Sequence, residues 1–305
     1  MTASSAIGDF TIGRLGLGTM SLTGRGTWGE PSDPPAARAL LRRAADLGVQ
    51  LFDTADSYGP EVAERLVREA LHPYDGLLVA TKGGFVRRGP HEWEADCRPE
   101  SLRAACEASL GRLGLERIDL YQLHLVDARV PLEESLGALT ELRAEGKIRH
   151  IGVCNVDLGQ LERARRAGEI VSVQNRFSLA ERSSGDMLAR CAEAGLAFIA
   201  WAPLAKGFLT SASGAVAAAA RAHGTTPGQV ALAWIMGRAG AFAIPGTASL
   251  PHLEENVGAL AVELTDDEIG ALERDPLLGY RAKRLARKAR VGAGRIKAGV
   301  RKVGR

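Results

Sequence analysis

At 305 residues, with 46% hydrophobic and 25% charged side chains, the chain has the make-up of a globular protein able to bury a sizeable core, which excludes disorder over its main body. No apolar run approaches the ~18 residues of a membrane span, and the opening MTASSAIGDF has neither a basic start nor an apolar stretch, so export is not expected and the chain is read as cytoplasmic. The net charge of +3 is uneven: residues 281–305 hold eleven Lys/Arg and no acid, leaving 28 basic against 36 acidic residues in the rest.

In chain order, Gly8-Asp9 reads as the turn of a short hairpin. Strand-like apolar runs then occur at 14–18, 49–53, 77–81, 118–123, 150–154, 170–174, 197–201 and 241–245. Segments with helical period lie between them, at 34–48, 61–71, 99–114, 132–146 and 157–168, several opening on Ser, Asp or Pro and closing on Gly. A further helix is expected after Thr265 as N-cap. Repeated strand-then-helix units demand parallel strands, and eight of them close most naturally into a (β/α)8 TIM barrel, with the open doubly wound sheet as the alternative. The hairpin would then plug the barrel floor.

Residues 1–280 are accordingly read as one barrel domain and 281–305 as a basic tail. Three readings of the tail stay open: a solvated, partly disordered or helical extension, a segment folded back on the acidic body, or a contact with an anionic surface. Charge alone would bind nucleic acid non-specifically and in a salt-sensitive way, so no specific nucleic-acid partner is expected. Cys97, Cys106, Cys154 and Cys191 lack paired C-x-x-C spacing, so reduced thiols and no metal site are expected.

Barrel active sites form at the carboxyl ends of the strands. The second run ends in Asp53 and leads through TADSYG to Tyr58, the third ends at Lys82 and the fourth at His124, so four ionisable groups share one mouth. A tyrosine has an ordinary pKa of about 10, and the Lys82 ammonium is expected to lower it by stabilising the phenolate. Asp53 can pair with Lys82 and offset the burial of a cation. His124 can hydrogen-bond a substrate carbonyl oxygen. Taken singly, each of these residues has a structural reading; together they can protonate an oxygen while something else delivers hydride.

With these residues in place, the sequence resembles the aldo-keto reductase family. The matches are GLGTM (16–20), FDTADSYG (52–59), TKGG (81–84), LYQLH (120–124), GVCN (152–155), VQN (173–175), WAPLAKGFL (201–209) and IPGTASLPHLEEN (244–256), in family order over residues 10–275. The resemblance implies that Asp53, Tyr58, Lys82 and His124 form the catalytic tetrad with Tyr58 as general acid, and that NADPH/NADP+ is the cofactor. It implies that Gly18, Thr19, Met20 and Asp53 border that cofactor, that Asn155 and Gln174 bind its carboxamide and that Trp201 stacks on its ring. Leu204 and Gly207 would line the pyrophosphate, and Thr247, Ser249, His252, Glu255 and Asn256 the adenosine end.

Three departures from the family pattern stand out: Ala202 where a Ser is common, Cys154 in place of the Ser before Asn155, and Gly246 where many members carry a Lys. The last bears on the 2′-phosphate of NADP; the hydroxyls of Thr247 and Ser249 with His252 can take its place, and NADPH is expected.

GRGTWG (24–29) fits the G-x-G-x-x-G dinucleotide fingerprint, but it runs into EPSDPP instead of linking a strand to a helix, so it is read as a substrate-side loop with Trp28 as a pocket wall. Trp28, Phe85 and Trp93, with Trp201, would accept a planar carbonyl compound. WGEPSD and YGPEVAERLVREAL are also similar to the pyridoxal reductase branch. The expected function is therefore reduction of an aldehyde or ketone, pyridoxal or another aromatic aldehyde among them. The alternatives are a non-catalytic NADP-binding regulatory protein on the same barrel and an isomerase or lyase, for which no phosphate loop or metal motif is found. Oligomeric state is left open, because this barrel occurs in several assemblies.

Overall fold

The computed structural model describes residues 4–205, 207–211 and 214–275. The basic segment 281–305 lies outside the described residues. Strands β1 (Ser4–Ile7) and β2 (Phe10–Gly13) pair antiparallel about the Gly8-Asp9 turn. Strands β3 (Gly16–Gly18), β4 (Leu51–Asp53) and β5 (Leu78–Gly83) follow in parallel. An antiparallel hairpin of β6 (Phe85–Gly89) and β7 (Glu92–Ala95) then interrupts the alternation. The parallel set resumes with β8 (Ile118–Leu123), β9 (Ile148–Cys154), β10 (Ile170–Arg176), β11 (Ala197–Trp201) and β12 (Ala241–Ile244). Neighbouring strands run β3-β4-β5-β8-β9-β10-β11-β12. Leu15 bridges Ala243, whose N–H donates to the Arg14 carbonyl at 3.0 Å, and so the last strand closes on the first.

Helices α1 (Pro34–Asp46), α2 (Val62–Leu71), α3 (Pro99–Leu113), α4 (Leu132–Ala144) and α5 (Leu158–Ala167) lie where the sequence period places them. Their ends follow from local chemistry. Asp33 accepts from the Ala36 N–H with proline at the start of α1, Asp157 and Gln160 form a capping box on α5, and Gly114 ends α3 in the left-handed region. Helices α6 (Gly185–Glu193), α7 (Ala215–Ala222), α8 (Pro227–Met236) and α9 (Leu250–Gly258) were not marked out by the sequence reading. The reason is plain for α8, where everything from Val230 to Met236 is buried, leaving no polar face and therefore no helical stripe. Helix α10 (Asp266–Arg274) starts on Thr265, which forms a capping box with Glu268.

Strand parity sorts the core into two bodies. Phe52, Val79, Tyr121, Val153, Val173 and Phe198 point outward and pack under the helices. Leu51, Leu78, Leu120, Ile199 and Phe242 point inward and form a separate cluster that includes Ile7 and Ile12 of the hairpin. The hairpin is thus the floor of the barrel. All four cysteines are free and buried, and among the described residues no helix is long and apolar enough to cross a membrane.

Because Ile7 is fully buried in that inner cluster, Ile7→Ala is expected to lower the unfolding free energy by about 2–5 kcal/mol in denaturant titration. A loss below about 1 kcal/mol would mean that the hairpin is not part of the core.

Candidate active site

The inward parity that fills the lower barrel with leucine places polar side chains at its upper end. Asp53 is the last residue of β4, Lys82 lies two residues beyond inward Ala80 on β5, and Gln122 lies two beyond inward Leu120 on β8. Lys82 is 0% exposed. Its ammonium donates to Asp53 Oδ1 at 2.6 Å, to the Thr54 carbonyl at 2.8 Å and to Tyr58 Oη at 3.4 Å, which uses all three of its N–H groups. The second Asp53 oxygen accepts from Gln174 Nε2 at 2.7 Å and from Gln122 Nε2 at 3.2 Å. Burial alone would depress the Lys82 pKa; the attraction of Asp53, aided by Tyr58, outweighs it and holds the ammonium above the ordinary lysine range.

Tyr58 behaves differently from the sequence expectation. Burial pushes its phenol up to about 12, with Lys82 pulling down and Asp53 pushing back up. Desolvation of a phenolate outweighs one ammonium whose charge is already offset by its carboxylate partner. Tyr58 is therefore protonated near neutral pH. His124 is driven well below the ordinary histidine value, by burial first and then by Lys82. The neutral ring has one N–H donor and one acceptor, and its Nδ1 has no hydrogen-bond partner among the described residues. Its ring meets those of Tyr58 and Phe85 edge-on, with centroids 5.9 and 4.7 Å away.

Tyr58 and His124 open into a cavity of about 600 Å³, a size suited to a cofactor or substrate. Phe85 and Trp93 line it beside them, as do Gly18 and Met20. Asn155, Gln174 and Trp201 form a second stretch of wall, and Asn155 ties it together: its amide donates to the His124 carbonyl at 3.0 Å and accepts from the Trp201 indole at 3.0 Å. Gln174 has its NH2 committed to Asp53 and Gln122, leaving its carbonyl oxygen toward the space. Leu204 and Gly207 line the cavity from the segment after β11, and Thr247, His252, Glu255 and Asn256 line it at α9.

Besides the sealed Lys82, three of the candidate residues do not line this cavity. Thr19 is buried with its hydroxyl on the Asp53 carbonyl at 3.1 Å. Ser249 is the N-cap of α9, its N–H donating to Thr247 Oγ1 at 3.0 Å. Trp28 faces the Arg87 guanidinium at 5.8 Å rather than the cavity. Lining residues that the sequence reading did not name include Ser21, Pro203 and Thr210. Gln122 and Cys154 complete the polar layer beneath, with the Cys154 thiol 3.6 Å from Gln122 Oε1; their inward strand parity was the available signal.

The residues present fit an extended anionic cofactor. A Cβ at Gly246 would come within 3.0 Å of the Gly18 carbonyl and Ser21 Oγ, so glycine lets this segment of the wall pack closely against the end of β3. No side chain caps the first turn of α9, and the positive end of the helix favours an anion there although Pro251 contributes no N–H. Among the described residues no three His, Cys, Asp or Glu side chains gather to hold a metal.

Comparison with known proteins bears on this site. The model of the Aldo/keto reductase family matches residues 14–274. The chain is 42% identical over 270 residues to an uncharacterized oxidoreductase of Schizosaccharomyces pombe, covering 88% of each chain. It is 38% identical over 275 residues to pyridoxine 4-dehydrogenase of Escherichia coli, covering 88% of this chain and 96% of that one. Among solved structures it is similar to an aldo-keto reductase of Klebsiella pneumoniae in complex with NADPH, with a TM-score of 0.78 and 29% identity over 90% of this chain and 95% of that one.

In the protein without ligand, the phenol absorbance removed by Tyr58→Phe is expected to titrate near pH 12. A midpoint below the ordinary tyrosine value of about 10 would mean that Lys82, and not burial, dominates the hydroxyl.

Proposed function

The chain belongs to the aldo/keto reductase family, and we propose that it reduces an aldehyde or ketone to the alcohol with NADPH, Tyr58 acting as the general acid. The observation that carries this reading is the Lys82 ammonium in contact with both Asp53 and Tyr58 Oη, while Tyr58 and His124 face one cavity. NADPH supplies a hydride to the carbonyl carbon. Tyr58 gives its proton to the carbonyl oxygen, which completes the alcohol, and later regains a proton from solvent. As charge develops on Tyr58 Oη, the ammonium 3.4 Å away stabilises it. This attraction grows toward the transition state and is weak in the ground state, which is the condition for lowering a barrier. Asp53 keeps Lys82 charged and aimed. Neutral His124 can offer a hydrogen bond to the carbonyl oxygen without adding a second charge beside Lys82.

The remaining Asn155 amide hydrogen and the free Gln174 oxygen suit the carboxamide of NADPH, and the Trp201 face suits its ring. Thr247, His252 and the first turn of α9 suit phosphate oxygens. Phe85 and Trp93, on the wall nearest Tyr58, suit a flat carbonyl compound. Taken with the likeness to pyridoxine 4-dehydrogenase, they support a pyridoxal-like or other aromatic aldehyde as substrate. The intact tetrad favours turnover over a purely regulatory nucleotide-binding role, and the free buried thiols accord with a reducing, cytoplasmic setting.

With pyridoxal, aromatic aldehydes, short dicarbonyls and sugars as candidate substrates, NADPH oxidation is expected to be fastest with a flat aldehyde. Tyr58→Phe should lower kcat by about 10²- to 10⁴-fold while NADPH affinity is unchanged. Wild-type turnover in Tyr58→Phe would remove the proposed acid, and clear preference for NADH would remove the proposed cofactor.

A further inference from the structure

The glycine-rich loop at 24–29 takes no part in the chemistry above, yet it meets the β6–β7 hairpin on one side chain. Arg87 of β6 is 9% exposed, and all five of its N–H groups donate to main-chain carbonyls. Nε reaches Glu92 at 2.9 Å, Nη1 reaches Thr27 and Ser57 at 2.9 Å each, and Nη2 reaches Gly26 at 3.1 Å and Gly89 at 3.3 Å. Its guanidinium carbon lies 3.8 Å from the centre of the Trp93 ring and 5.8 Å from that of Trp28. Among the described residues it pairs with no carboxylate. A buried cation without a counter-ion is costly. Here carbonyl dipoles and two indole faces offset the cost, and they do so only while all three segments stay in place.

Those segments enclose Tyr58. Ser57, which accepts from Arg87, directly precedes it. On its other side Gly59 accepts from the Gly29 N–H and bridges Trp28. The Trp93 ring, with Arg87 over it, stands edge-on to Tyr58 at 6.4 Å and to Phe85 at 5.2 Å. The glycines of 24–29 follow from the same geometry. A Cβ on Gly24 would lie 2.3 Å from the Trp28 carbonyl and 2.7 Å from that of Glu30, so only glycine lets the loop fold back tightly enough to present the carbonyls of residues 26 and 27 to the guanidinium.

We propose that Arg87 is a positioning and specificity-determining residue for the reduction described above: it locks loop 24–29, the Tyr58 loop and the hairpin into one rigid roof, holding Tyr58 against Lys82 and Trp93 as a pre-formed flat wall. The proposal rests on the reductase reading for its substrate consequence, and on geometry alone for the coupling of the three segments. The roof favours planar substrates, because a wall already in place costs nothing to order when they bind.

The test compares wild type with Arg87→Lys, which keeps a cation near Trp93 but has only three donors, and with Arg87→Gln, which has no charge. For both variants, kcat/KM for benzaldehyde with NADPH is expected to fall about ten- to a hundredfold more than for propanal, with NADPH affinity unchanged. Equal losses for the two aldehydes would reduce Arg87 to general structural support and overturn its specificity role. Amide hydrogen exchange of the whole protein tests the coupling without any turnover. In Arg87→Lys, exchange should rise together in 24–29, 57–59 and 85–95 and stay unchanged in β3–β5 and β8–β12. A rise confined to 85–95 would overturn the coupling. If the wild type reduces no aldehyde, the reductase reading and the specificity role fall together, while exchange still decides the coupling.

Discussion

A lysine ammonium sealed from water holds its charge only if an anion is sealed in with it. In this barrel the requirement is met at Lys82, whose ammonium spans the Asp53 carboxylate, the Thr54 carbonyl and the Tyr58 hydroxyl. The carboxylate is held in turn by two amides, one from β8, two strands round the barrel, and one from β10 on its far side. One ion pair thus ties β4, β5, β8, β10 and the Tyr58 loop together. Stripping Lys82 of its partner would leave a buried charge uncompensated, a loss of about 3–5 kcal/mol in comparable settings.

The pair can sit there because of how the barrel fills. Leucine, isoleucine and phenylalanine occupy the inner positions of its lower half, stoppered by Ile7 and Ile12, so water does not reach the polar layer from below. Above that layer the floor of the cavity is polar and the wall beside Tyr58, at Phe85 and Trp93, is aromatic. The phenol between them stays protonated, because burial opposes its ionisation more strongly than Lys82 promotes it. In the proposed reaction, ammonium assistance is therefore largest when charge is forming on the oxygen, which is where a general acid would need it.

Much of this was legible in the sequence, because strand parity and strand ends obey simple rules. VQLFD, LLVAT and IDLYQLH each carry their ionisable residue at or just past the carboxyl end, so the sequence alone assigns Asp53, Lys82 and His124 to one mouth. Gln122 and Cys154 share that parity, but an amide and a thiol inside apolar strands look like ordinary core residues. The upward shift of Tyr58 is not legible in the sequence, because its sign depends on the depth of burial, which a motif does not carry. An aromatic side chain in an active-site loop suggests a pocket wall, whereas Trp28 faces a guanidinium. Its actual neighbour, Arg87, lies about sixty positions along the chain in a hairpin whose turn-rich RRGPHEWEA segment gave no clear strand period.

Whether Asp53, Lys82 and Tyr58 act as a unit rather than as separate contributors is tested most directly by a double-mutant cycle. Single-turnover reduction would be measured for wild type, Asp53→Asn, Tyr58→Phe and the double variant. If the carboxylate acts through Lys82 on the phenol, Asp53→Asn lowers the rate at least about tenfold when Tyr58 is present and changes it less than about threefold when Phe replaces it. Two losses that multiply in the double variant would contradict the account, because Asp53 would then be working on the reaction by a route that does not pass through Tyr58.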